Sequence, residues 1–323
     1  MYRSLEALRE ASVARIQSAP IARAVGPKWV PEATLEGIRQ RNALLDWLFY
    51  DIGKLKDEEA QQVSPWLAAE GAILLVPPSG AGLLRLFTSI DAFAESDGAT
   101  VRTLVVAGVG SSALGSAALA RNVADAIQAP VAAVVSGYGL ADVAAEALGG
   151  FVWFGTMNAV RHQFEWLDRL RESGVIADPS SSEGLSDSSL WVRQSKDTRA
   201  VQGLLSHPDL RFDLLVGHSK GNLVLSEALF ALQASDPTLL RQLGRETCIV
   251  TLSAKIAMPR VCQHVIDVMG QLDAFGAFNS RLDIPTDVMV PAAWHHTNTD
   301  LPWHLPVTSV MHGLEQGGQL DVR

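Results

Sequence analysis

The sequence predicts an α/β protein: a mostly parallel central sheet, helices on both of its faces, and a helical extension at the N-terminus. Three observations predict it. Short apolar runs that read as buried strands alternate with Ala-rich or amphipathic runs that read as helices, the pattern of βαβ units. One strand-to-helix junction carries Gly217-His218-Ser219-Lys220-Gly221. Hydrophobic residues make up 48% of 323, enough for one large core, which excludes a disordered or fibrous chain.

Taken in order, residues up to about Glu70 read as helical. Leu5, Leu8, Val13 and Ile16 fall on one face, and a second helix is expected over Ala33–Lys54, after Pro31. Gly71–Val76 is a short apolar run stopped by Pro77-Pro78 and Ser79-Gly80, hence a first strand. A helix is expected around Gly82–Ala94. Arg102–Ala107 and Val131–Val135 read as strands flanking a helix over Ser112–Ile127. Helices are expected at Leu140–Leu148 and Val160–Ser173, with a short strand at Phe151–Phe154 between them. Ile176–Ser189 reads as a surface loop. Asp197–Ser206 and Leu223–Ala234 then read as helices around a Phe212–Val216 strand. Cys248–Leu252, Val265–Met269 and Asp287–Val290 are the remaining strands. The expected organisation is an N-terminal extension over residues 1–70 and one α/β domain over 71–323, in which 136–190 is a candidate cap or loop region.

Composition narrows the function classes. The formal charge of −9 and the lack of any Lys/Arg-rich run leave no basic footprint for nucleic acid. Cys248 and Cys262 are too few for a disulfide framework and lack metal-ligand spacing, so both are expected reduced and partly buried. No apolar stretch is long enough to span a bilayer, and the charged N-terminus lacks a signal-peptide core. A cytoplasmic location, no cofactor and no metal are the corresponding expectations.

The segment Leu214-Leu215-Val216-Gly217-His218-Ser219-Lys220-Gly221 matches G-x-S-x-G between a strand and a helix. A turn this tight forces its central residue into a strained backbone conformation. Side chains two before and two after would collide, so both positions are Gly. The hydroxyl of Ser219 is held at the carboxyl edge of the sheet, and the next helix points its positive end there. With these residues the chain resembles the α/β-hydrolase superfamily, whose lipases and esterases often read G-H-S-x-G. The likeness runs from about Arg102 to Leu305.

The resemblance implies a serine hydrolase with a Ser-His-Asp triad, a carboxylic ester as substrate and an acyl-enzyme intermediate. Ser219 would be the nucleophile. The oxyanion donors would be the amide of Lys220 and one from the glycine loop after an earlier strand, Val109 first and Gly110 next. Here the family's frequent His before that Gly is replaced by Ala107, and Lys220 stands where a small or apolar residue is usual. The acid should follow the strand Val265–Met269. Asp273 fits that place, ahead of Asp267, Asp283 and Asp287. The base should follow the last strand, where His295 and His296 are adjacent; the sequence barely separates them and favours His296. His218 should pack beneath the turn. Thioesterase, amidase and polyester depolymerase activities remain open, since fold does not choose among them.

Only Ser253–His264 separates the two strands between which many relatives insert a lid. Cover for the site should come from the N-terminal helices or from Gly137–Ser189, whose Tyr138, Phe151, Trp153, Phe154 and Trp166 suit an acyl-binding wall or ordinary packing. Trp294 and Trp303 could line the mouth. Two rivals stand beside the hydrolase. One is a dinucleotide-binding oxidoreductase using Gly108-x-Gly110-x-x-x-x-Gly115, which departs from G-x-G-x-x-G and lacks an acidic residue after the next strand. The other is a non-catalytic scaffold of the same fold that only binds.

Overall fold

The computed structural model describes residues 45–63, 70–108, 111–136 and 195–320. The chain divides into two units, Met1–Gly137 with Lys196–Arg323, and Tyr138–Ser195. Every described residue except Ser195 belongs to the first. The expected elements at Leu140–Leu148, Phe151–Phe154 and Val160–Ser173, the loop Ile176–Ser189 and the aromatic wall all lie outside the described residues.

Eight strands form one sheet: β1 Ile73–Val76, β2 Arg85–Phe87, β3 Thr103–Val106, β4 Val131–Val134, β5 Leu214–His218, β6 Cys248–Leu252, β7 His264–Gly270 and β8 Val288–Val290. Their order is β2-β1-β4-β3-β5-β6-β7-β8. From β4 to β8 every pairing is parallel; β1 is antiparallel to both its neighbours. The expected helix at Gly82–Ala94 is instead a turn, the edge strand β2 and a short helix α2 (Ile90–Ala94) capped by Ser89. Strand pairing overrides helical spacing there: Leu74 of β1 supplies the partner for Leu86.

Most of the strands are buried on both faces, and their side chains divide with period two. Leu74, Val76, Val105, Ala133, Leu214, Val216 and Val250 enter one core cluster; Ile73, Leu75, Leu104, Val106, Ala132, Leu215 and Ile249 enter the other. The first is covered by α3 (Ala113–Ile127) and by the C-terminal helix Val307–Gln316. Thirteen of the fifteen residues of α3 are buried, which is why the helix is Ala-rich rather than two-faced. The second cluster is covered by α4 (Lys196–Ser206), α5 (Lys220–Ser235) and α6 (Pro237–Glu246). Helix α6 had no sequence expectation, although Asp236 caps it and Pro237 opens it. Short α7 (Ala274–Phe278) and α8 (Val307–Gln316) complete the set.

Residue 70 is not a packing boundary. Residues 45–49 are helical and are followed by a 3-10 turn at Ile52–Lys54 and by α1 (Asp57–Val63). Asp46, Tyr50 and Glu59 of this segment are all buried within the α/β core. Among the described residues no helix is long and apolar enough to cross a membrane. Cys248 and Cys262 are free thiols, each partly buried.

Candidate functional site

Strand β5 ends at His218 and α5 begins at Lys220, so the whole reversal from strand to helix falls on Ser219. Ser219 has φ 54° and ψ −119°, a left-handed conformation that costs an L-residue of order 1–3 kcal/mol. The surroundings hold it there. Ser219 N–H donates to the Leu252 carbonyl at 2.9 Å, and Asn222 Nδ2 donates to the carbonyls of Leu252 at 3.0 Å and Ala254 at 2.8 Å. The flanking glycines are required by space. A Cβ on Gly217 would overlap the Asn222 side chain, and one on Gly221 would collide with the Val106 carbonyl. Ser219 does not use its side chain to cap α5.

That hydroxyl faces His295 instead, with Oγ 3.0 Å from Nε2. On the far side of the ring, Nδ1 lies 3.0 Å from both Oδ1 and Oδ2 of Asp273. The carboxylate can only accept from Nδ1–H, which leaves Nε2 as the acceptor of the Ser219 proton. Asp273 is fixed by its own fold position. It follows β7, caps α7, and its Oδ1 accepts from Gly276 N–H at 2.6 Å. Asp273 and His295 are both 2% exposed, and the rings of Phe275 and Phe49 stand edge-on to His295 with centroids 4.4 and 6.0 Å away. An array of this kind can remove a hydroxyl proton and hold the resulting imidazolium beside a carboxylate.

The preference for His296 is corrected by this geometry. Successive residues of the loop send their side chains apart. The Nε2–H of His296 donates to the Pro302 carbonyl at 3.1 Å, its ring packs against Trp294, and burial pulls its pKa down. Asp267, Asp283 and Asp287 are occupied elsewhere. Asp267 accepts from Thr251 inside the sheet, Asp287 accepts from the Asp267 N–H at 2.8 Å, and Asp283 pairs with Arg281. Trp294 is half-buried, and Trp303, with φ 59°, is 64% exposed.

Lys220 opens α5, at the positive end of its dipole. Val109 and Gly110 lie outside the described residues. The residues on either side of them are pinned. Gly108 N–H donates to Tyr50 Oη at 2.6 Å, and Gly108 O accepts from Ser136 Oγ at 3.1 Å and Ser111 N–H at 3.2 Å. Ser112 gives its N–H to Asp46 Oδ1 at 2.9 Å and its hydroxyl to Oδ2. Gly108 lies so near the elbow that a Cβ there would sit 2.9 Å from Ser219 Cβ.

Sequence reasoning named no site residue in the segment 46–51, which meets the Gly108 turn, His218, His295 and the loop after it. Besides Asp46 and Tyr50, the Phe49 carbonyl accepts from Thr297 N–H at 2.7 Å, the Trp47 carbonyl from Asn298 Nδ2 at 2.5 Å, and Asp51 Oδ2 from Thr299 Oγ1 at 2.8 Å. These partners are as far as 251 residues apart in the chain, so no local pattern could signal them. His218 packs beneath the turn as expected, 1% exposed, and burial pulls its pKa down to about 3. Among the described residues no group of three or more His, Cys, Asp or Glu is placed to hold a metal ion. Compared with known proteins, the chain matches no family model, no curated protein and no solved structure.

Proposed function

We propose that the protein is a serine hydrolase of the α/β-hydrolase type that cleaves a carboxylic ester. One observation carries the reading: a hydroxyl on a strained strand-to-helix bend lies 3.0 Å from an imidazole whose other nitrogen meets a buried carboxylate. In this mechanism His295 takes the proton of Ser219 as its Oγ attacks the acyl carbonyl. The Lys220 amide, with Val109 or Gly110, receives the oxyanion. His295 then protonates the leaving alcohol, and water attacks the acyl-enzyme in the second half. Asp273 orients the ring and stabilises its protonated form.

The same surroundings weigh against a dinucleotide. A pyrophosphate would sit at the N-terminus of α3. The Asp46 carboxylate already occupies that end, accepting from both Ser112 groups, and the space beside Gly115 is filled by Asp46 and Tyr50.

The test is a fluorophosphonate probe followed by a series of p-nitrophenyl esters of increasing acyl length. Labelling of wild type that disappears in Ser219→Ala, with ester turnover lost in parallel, is the expected result. Folded wild type that neither labels nor turns over any ester would leave only the non-catalytic binding protein standing.

A further inference from the structure

The hydroxyl of Tyr50 lies where three parts of the site meet. It is 2.6 Å from the Gly108 amide nitrogen and 3.1 Å from His218 Nδ1, while His218 Nε2 is 2.9 Å from the His295 carbonyl oxygen. The chemistry of the end groups fixes the direction of every bond. A carbonyl oxygen only accepts, so Nε2 of His218 carries a proton. The ring is buried and neutral, so Nδ1 is bare and accepts from the Tyr50 O–H. An amide N–H only donates, so Gly108 gives its proton to the Tyr50 oxygen. Tyr50 and His218 are each 1% exposed, and their rings meet edge to face with centroids 5.5 Å apart.

We infer that Tyr50 is a positioning residue for the chemistry at Ser219. Its hydroxyl joins the end of β3, the residue before the nucleophile and the peptide of His295 in one directed hydrogen-bond chain. Each link ends on a different part of the site. Gly108 leads into the loop proposed to carry an oxyanion donor, His218 is bonded to Ser219 through the backbone, and His295 is the proposed base. The Tyr50 hydroxyl is already engaged by Gly108 and His218, not aimed at the Ser219 hydroxyl, so its effect falls on the rate of the bound complex and not on binding. Loss of the hydroxyl would strand the Gly108 N–H and leave His218 Nδ1 without its donor, both inside the core.

The inference rests on the serine-hydrolase reading, and the experiment separates the two. Fluorophosphonate titration of wild type and Tyr50→Phe gives the concentration of competent sites, and ester kinetics are expressed per site. The expected result is a kcat lower by about tenfold to a hundredfold with KM within about twofold. The double variant Tyr50→Phe/His218→Phe should be no slower than the slower single variant, as for two members of one chain. Wild type that labels, with Tyr50→Phe turning over at the wild-type kcat per site, overturns the role of Tyr50 and leaves the hydrolase intact. Multiplying losses in the double variant overturn it as well. Wild type that never labels removes the hydrolase reading and this one with it. Imidazole 15N spectra of wild type test the chain even if the variants misfold. His218 should hold the Nε2–H tautomer unchanged between about pH 5 and 8; an Nδ1–H tautomer, or titration in that range, overturns the chain.

Discussion

His295 Nε2 lies 3.0 Å from Ser219 Oγ, and no other imidazole makes that approach among the described residues; that of His296 ends at the Pro302 carbonyl. On the hydrolase reading, His295→Ala removes the base and its proton relay together. Ester kcat should fall by about 10⁴-fold or more, with fluorophosphonate labelling slowed in step. His296→Ala should keep kcat within about tenfold, its loss confined to loop packing. Parallel kinetics on the two variants check the assignment, and equal losses would count against it.

The Arg121 guanidinium and the Glu59 carboxylate form an ion pair in the core, 1% and 0% exposed. Glu59 also accepts from Leu84 N–H at 3.1 Å and Lys56 N–H at 2.9 Å, so it ties α1 to α3 and to the start of β2. Removing one partner leaves a buried charge uncompensated. Arg121→Met or Glu59→Gln should each cost about 3–5 kcal/mol in denaturant unfolding. The pair of changes together should cost less than their sum, because neither charge is then stranded.

Asp46 gives a pH dependence of a definite sign. Burial pushes its carboxyl up to about 7 from an ordinary 3.8, against the pull of its bonds from Ser112 and Gly115. Between those values the folded protein keeps a proton that the unfolded chain has lost, so stability falls as pH rises through the window. Asp46→Asn carries no such proton. Thermal melts should show wild type losing ground to Asp46→Asn from about pH 4 to 7, with the difference level above that. His218 acts in the opposite direction, since its folded pKa is depressed and acid favours its unfolded form. The difference between wild type and Asp46→Asn isolates the carboxyl.

Both cysteines should be slow thiols. Burial raises Cys248 and Cys262 to about 11, so little thiolate is present near neutral pH. Ellman's reagent should react slowly with native protein and release two equivalents once it is denatured. A fast equivalent from the native state would contradict the burial.

Much of the sheet and the bend at Ser219 follow from local sequence. Cys248–Leu252 is a strand over the bounds its apolar run predicts, and Gly217 and Gly221 stand where a Cβ has no room. Such features depend on period and on steric exclusion over a few residues, which a linear chain displays. Asp273 was legible too, because a loop after a strand has a predictable place. The choice of His295 over His296 was not. Adjacent residues share every local property, and only the path of the loop against Phe49 and Phe275 decides which ring faces the hydroxyl. Nor could the sequence assign Asp46 or Tyr50 to the site. Their partners lie 66 and 168 residues away, and a contact at that range exists only after the chain has folded, when burial turns an ordinary carboxyl and phenol into groups that must find one another.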